Sequence, residues 1–186
     1  IRNRSRGRFT VPMVIRTPYG AGIRAPEHHS ESTDALFTHI PGIKVVVPST
    51  PKEAKGLLIS SIRDLDPVVF LEPTKLYRAI REEVPQGEYT VPLGKARIVR
   101  TGTNVTLICW GAMVRVAESA ADEAEEEGIS VEVIDMRTLL PMDIDAIITS
   151  VKKTGRVVVV HEAPKTCGLG AEITALIQEK ALLHLQ

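Results

Sequence analysis

Cysteine is nearly absent: Cys109 and Cys167 are the only two in 186 residues, far apart and in no CxxC or metal-ligand spacing. That excludes a disulfide framework and a zinc ribbon, and it suits a reducing, cytoplasmic setting. Net charge is absent too, because 23 Lys and Arg balance 23 Asp and Glu. No overall field therefore draws the chain to nucleic acid or to an anionic membrane. No apolar run reaches the roughly 20 residues that a bilayer demands, and no secretory leader is visible. Also missing are a Walker loop, a metalloprotease helix and a nucleophile elbow. Gly168-Leu169-Gly170 lacks the third glycine of a dinucleotide fingerprint and reads as a tight strand-to-helix turn. No methionine precedes Ile1, and Gln186 falls inside an apolar helical pattern, so the sequence reads as a piece of a longer polypeptide.

What is present is an alternation of short β-branched runs with helical patterns, the signature of an α/β fold built on parallel sheets. A first series holds the runs 11–16, 44–47 and 67–71. Between the last two, Ser49 or Thr50 can cap a helix, Pro51 suits its first turn, and Glu53 favours its positive end. Leu57, Leu58, Ser61 and Ile62 then form a stripe at helical spacing. A second series holds the runs 105–108, 131–134 and 157–160, with helices expected over 114–126, 144–152 and from Ala171 onward. The polar, turn-rich stretch 82–89 divides the two series. It predicts two parallel-sheet domains, over residues 1–90 and 91–186. The alternate arginines Arg2 to Arg8 and the acidic stretch 122–127 read as solvated surface.

The densest chemical signal lies just after the first predicted strand. Thr17-Pro18-Tyr19-Gly20-Ala21-Gly22 is followed by Glu27-His28-His29-Ser30-Glu31-Ser32. Ligands of open α/β sheets dock beyond the carboxyl ends of the strands, where this glycine loop falls. Imidazoles there can carry protons near neutral pH, and Ser30 can orient His29 in particular. His39 sits in a helical pattern and reads as structural. His161-Glu162-Ala163-Pro164 ends the strand 157–160 and reads more readily as a hydrogen-bonded corner than as a site. Ser61 to Asp66 is a helix end whose free carbonyls can ligate a hard cation, though on spacing alone a plain connection is the favoured reading.

Together these segments resemble the β subunit of the 2-oxo acid dehydrogenase E1 component. The resemblance rests on Val14 to Gly20, His29-Ser30-Glu31-Ser32, Pro41 to Ser49, Ala54 to Leu58 and Ile62-Arg63-Asp64. Further along it rests on Pro67 to Pro73, Val133 to Thr138, Pro141-Met142-Asp143 and His161 to Pro164. It implies the later part of a transketolase-like pyrimidine-binding domain, followed by a transketolase C-terminal-like domain. It further implies a thiamine diphosphate enzyme that decarboxylates pyruvate or a branched-chain 2-oxo acid and passes the acyl group to the lipoyl group of the E2 acyltransferase. By the resemblance, His29 is the active-site histidine, while Tyr19, Gly20 and His28 line the cofactor site. A monovalent cation, potassium, would fall on Ser61, Ile62, Asp64 and Asp66. The implied partner is an E1 α subunit, in an α₂β₂ heterotetramer, which would hold Mg²⁺ and the diphosphate; in a eukaryote the compartment would be the mitochondrial matrix. The family's β subunit carries its cofactor-activating glutamate in an earlier segment, so these residues alone are expected to be inactive. Two other readings are a non-catalytic E2-binding fragment and a sugar-phosphate enzyme of the transketolase group. The second is disfavoured because the glycine loop offers only Arg24 as a basic group.

Overall fold

The computed structural model describes residues 4–22, 24–25 and 30–186. In the first half, β1 (Val14–Tyr19), β2 (Lys44–Val46) and β3 (Val68–Pro73) run parallel in the order β1-β3-β2. The central strand β3 is buried from Val68 to Leu71 with no polar alternation, as a strand covered on both faces must be. The strand predicted from Val11 begins instead at Val14 and runs on to Tyr19. Pro12 has no N–H to give the ladder, whereas Pro18 is tolerated because β1 lies at the sheet edge.

Helix α1 (Asp34–Thr38) is a single short turn-and-a-half with His39 at its C-cap. Helix α2 (Pro51–Arg63) starts where its sequence directs, with the Thr50 hydroxyl accepting the Glu53 N–H at 3.2 Å and Pro51 in the first turn. Thr50→Ala is expected to cost about 1 kcal/mol, the usual loss of a side-chain N-cap, read as a lowered denaturant midpoint. Beyond β3 the chain returns across α2. Tyr89 Oη donates to the Lys52 carbonyl at 2.7 Å, and the Ser60 hydroxyl to the Val91 carbonyl at 2.6 Å.

The second half contains β4 (Arg97–Arg100), β5 (Val105–Cys109), β6 (Val131–Asp135), β7 (Thr138–Leu140) and β8 (Val157–Val160). Its helices are α3 (Met113–Glu126), α4 (Ile144–Thr154) and α5 (Leu169–Ala181). Strands β6, β5 and β8 are parallel, and β4 pairs antiparallel with β6 at one edge, giving the order β4-β6-β5-β8. The acidic face of α3 is exposed, and Arg100 bridges to Asp122 and Glu125 on it. The helix expected from Ala171 onward starts two residues earlier and gives way to a 3₁₀ turn over Leu182–His184.

β7 does not join the sheet of its own half. It pairs antiparallel with β2, with Val45 opposite Leu140, and completes a four-stranded first sheet. One apolar cluster then spans both sheets, with Tyr19, Val45, Val69 and Leu71 packed among Ile108, Trp110, Met136, Leu139 and Ile173.

Candidate functional site

The carboxyl ends of the parallel strands from both sheets converge on one mouth. Tyr19 closes β1, Trp110 follows β5, and His161 and Glu162 follow β8. Asp34, at the start of α1, lies beneath them and is fully buried. Its Oδ2 accepts the Tyr19 hydroxyl at 3.0 Å and Trp110 Nε1 at 3.1 Å, and its Oδ1 accepts the Ala35 N–H at 2.8 Å. Trp110 Nε1 also reaches the Tyr19 oxygen at 3.3 Å. A buried carboxylate is tolerable only with its lone pairs occupied, and here three donors occupy them. Two of those donors come from different halves of the chain, so Asp34 ties the halves together directly under the mouth.

On top of this brace the His161 imidazole stacks on the Trp110 indole, 5.3 Å between centroids and 6° from parallel. His161 Nδ1 is shielded from solvent and has no hydrogen-bond partner among the described residues. Gly20 turns the chain out of β1 with φ +86°, a conformation that side chains resist. A Cβ there would come within 2.6 Å of Glu162 Oε2, so one carboxylate oxygen occupies the space a side chain at this position would need. The Gly20 N–H donates to the Glu31 carbonyl at 3.0 Å, which brings together the two ends of the loop between them. Burial pushes the Glu162 carboxyl above the ordinary glutamate range; the Lys75 charge pulls it back, and Asp34 adds to the rise. Burial likewise raises the Tyr19 phenol, which remains a donor at all physiological pH values.

The residues anticipated from sequence fall unevenly in this arrangement. Gly20 is at the mouth. Tyr19 is 2% exposed, and its hydroxyl is committed to Asp34, so it faces inward as a brace and not outward towards a ligand. His28 and His29 lie outside the described residues, while the flanking positions Gly20 and Ser30 to Glu31 stand at the mouth. His161 and Glu162, read from sequence as a structural corner, stand there as well. Asp34 and Trp110 drew no notice in the sequence. The available signal was the only tryptophan of the chain, placed immediately after a buried strand.

Ser61, Ile62, Asp64 and Asp66 come together at the carboxyl end of α2. The Lys44 ammonium lies 2.6 Å from Asp64 and 3.5 Å from Asp66, and the Ser61 carbonyl accepts the Asp64 N–H at 3.3 Å. The two carboxylates thus already face a cation, so a bound ion there would rely on backbone carbonyls. Among the described residues no group of three or more His, Cys, Asp or Glu side chains could hold a metal ion, and no helix is long and apolar enough to cross a membrane.

The sequence pattern of the transketolase pyrimidine-binding domain matches residues 1–80, and that of the transketolase C-terminal domain matches residues 94–186. The chain belongs to the transketolase family. Among relatives of this transketolase-family chain, the pyruvate dehydrogenase E1 component subunit β of Acholeplasma laidlawii is 56% identical, covering 100% of this chain and 57% of the relative. The same subunit of Bacillus subtilis (strain 168) gives the same identity and coverage. The mitochondrial 2-oxoisovalerate dehydrogenase subunit β of Dictyostelium discoideum is also 56% identical, over 100% of this chain and 50% of its own length. The chain thus spans little more than half the length of the relatives it matches. A solved structure described as a split-gene transketolase, inactive β4 tetramer, superposes with a TM-score of 0.77 at 25% identity, over 92% of this chain and 55% of the other. The fold expected from sequence, a pyrimidine-binding domain followed by a transketolase C-terminal domain, is the fold observed.

Proposed function

We propose that these residues act as part of the β subunit of a thiamine-diphosphate-dependent 2-oxo acid dehydrogenase E1 component. The observation that carries this reading is 56% identity along the whole chain to β subunits of both the pyruvate and the 2-oxoisovalerate enzymes. The substrate is accordingly a 2-oxo acid, pyruvate or a branched-chain analogue, and the acceptor a lipoyl group on the E2 acyltransferase. An α subunit in an α₂β₂ assembly would supply the rest of the pocket.

The mouth fits one end of thiamine diphosphate and not the other. Glu162 presents its carboxyl beside Gly20 where the strand ends meet, while Asp34 is sealed beneath; an acidic group there suits a cationic ring better than a diphosphate. By the family resemblance, diphosphate and Mg²⁺ belong to the α partner. When bound, thiamine diphosphate supplies the carbanion-stabilising chemistry that releases CO₂ from a 2-oxo acid. The protein groups do the rest. Gly20 turns the chain at the cofactor pocket with Glu162 against it, Tyr19 holds that backbone in place from below, and His28, by the family resemblance, contributes to the same pocket. His29 moves the proton during acyl transfer to the lipoyl group. Potassium on Ser61, Ile62, Asp64 and Asp66 would stiffen the end of α2, with Lys44 balancing the two carboxylates.

The test is to express the full-length subunit with an α subunit and assay it with pyruvate and with 3-methyl-2-oxobutanoate. Thiamine-diphosphate-dependent decarboxylation of at least one, coupled to lipoamide reduction, is expected; residues 1–186 without the α subunit are expected to be silent. An assembled, cofactor-loaded enzyme that turned over neither substrate would sink the reading.

A further inference from the structure

Away from the mouth, a second polar cluster is sealed between the two sheets, where the carboxyl end of β2 meets that of β6. Ser49 follows β2 and is 1% exposed; Glu53 lies one turn into α2; Asp135 ends β6 and is 0% exposed. The Ser49 Oγ is 2.9 Å from Glu53 Oε2 and 2.5 Å from Asp135 Oδ2. A hydroxyl has one hydrogen. It can donate to one of these carboxylates and not to both, so the other contact needs a hydrogen from the carboxyl side.

The surrounding groups decide which carboxyl supplies it. Glu53 Oε1 faces two guanidiniums, Arg97 Nε at 2.9 Å and Arg137 Nη1 at 3.3 Å, so it is the carboxyl with two close cationic donors. Asp135 meets only Arg97 Nη2, at 3.6 Å, and its Oδ1 accepts the Arg137 backbone N–H at 3.1 Å. Its remaining titratable neighbour is the Cys109 thiol on β5, which burial keeps neutral. From these contacts we infer that Asp135 carries a proton and donates it to Ser49, Ser49 donates to Glu53, and the junction of the two sheets is a latch that holds one hydrogen. When that hydrogen leaves, two carboxylates compete for a single hydroxyl and the latch weakens. Complete burial, and then the Glu53 charge, push the Asp135 carboxyl from the ordinary aspartate range up to about 7, in agreement with this geometry.

The sign of the pH effect follows. An acid whose pKa is higher in the folded than in the unfolded chain binds more protons when folded, so its contribution to stability falls as pH rises between the two values. In the full-length polypeptide, wild-type and Asp135→Asn are compared by urea midpoint from pH 5 to pH 8. Asparagine keeps both the donor and the acceptor of a protonated aspartate. The wild-type midpoint is expected to fall relative to that of the variant as pH rises, and the variant to equal or exceed wild-type at pH 8. A midpoint lowered by the same amount at every pH would mean an ionised Asp135 paired with Arg97, and would overturn the inference. An infrared titration provides a second reading that does not require the variant to fold. The wild-type protein is expected to show a carboxylic-acid C=O stretch that persists at pH 6, where exposed carboxyls have ionised. Absence of that band, or its loss in Glu53→Gln with retention in Asp135→Asn, would equally overturn it.

Discussion

Alanine at His29, in the full subunit assembled with its α partner, is expected to slow acyl transfer to lipoamide by roughly 10²–10⁴-fold, the span over which a positioned proton carrier acts. Affinity for thiamine diphosphate should stay near that of the unaltered enzyme. The size of the effect follows from what the rest of the mouth offers. The Tyr19 hydroxyl and the Trp110 N–H both end on Asp34, and burial keeps the Tyr19 proton in place. The Glu162 carboxyl is pressed against Gly20, and the His161 ring lies flat on Trp110. The polar atoms of Tyr19 and Trp110 are committed to the brace, and His161 Nδ1, though unpartnered among the described residues, is shielded from solvent. By the family resemblance, His29 is then the imidazole suited to exchanging a proton near neutral pH. The measurement is a pair of assays on one preparation, lipoamide reduction and cofactor titration. Unchanged lipoamide turnover would remove His29 from the chemistry; loss of both readouts together would make it a structural support. His28→Ala should show a smaller loss, because by family resemblance the active-site position falls on His29.

Trp110→Ala should be the most damaging substitution for stability. The indole is 1% exposed, sits in the cluster that spans both sheets, and carries the stacked His161 ring on one face. Truncating a buried tryptophan costs about 3–5 kcal/mol through lost burial and the cavity left behind. Here the loss also strips a donor from Asp34, a buried carboxylate that accepts Trp110 Nε1 at 3.1 Å. Leaving a buried acceptor short of a partner adds its own penalty, about 1–3 kcal/mol where neighbours cannot compensate. Because domains are stable by only about 5–15 kcal/mol in total, the alanine variant is expected to be largely unfolded or aggregated at 37 °C. Trp110→Phe separates the two contributions. It keeps most of the volume and a ring for His161 but loses the N–H, and should cost about 1–3 kcal/mol. Urea midpoints for both variants test this. A phenylalanine variant as damaged as the alanine one would place the whole effect on the Asp34 hydrogen bond, and an undamaged one would place it on packing.

Much of the fold was legible because most strands advertise themselves locally. The apolar, β-branched runs at β2, β3, β5 and β6 are largely buried in parallel ladders, and the all-valine β8 pairs parallel at the sheet edge with Val158 exposed. The start of helix α2 was readable to within the choice of Ser49 or Thr50 as its cap, since the cap, Pro51 and Glu53 each serve the first turn by a separate mechanism, and the structure gives the cap to Thr50. Two strands escaped notice. β4 is Arg-Ile-Val-Arg with Ile98 exposed, a short edge strand whose polarity gives no core signal. β7 is three residues long, and its partner β2 lies far back in the chain, so nothing local defines it. The mouth was half visible for a related reason. The glycine loop and its histidines are consecutive in sequence, whereas Asp34, Trp110 and Glu162 reach the same place from three separate elements. Their meeting is a property of the topology, not of any motif. Tyr19 was singled out as lining the cofactor site, but its inward direction was not legible: which way the last residue of a strand points depends on the sheet register, here Tyr19 opposite Pro73.

The pairing of β7 with β2 makes the two stretches of recognisable family sequence poor places to divide the molecule. Cutting the backbone between residues 80 and 94 would break one covalent link and leave the pieces interlocked, because the later piece still supplies a strand to the earlier one. Made separately, the earlier piece would present the bare rim of β2 as a template for a neighbour's backbone, and the later piece would carry a three-residue ribbon with nothing to lie against. A gene boundary drawn there would yield two polypeptides that need each other to stay in solution, and any engineered fragment or fusion built from this chain has to carry β7 together with β2.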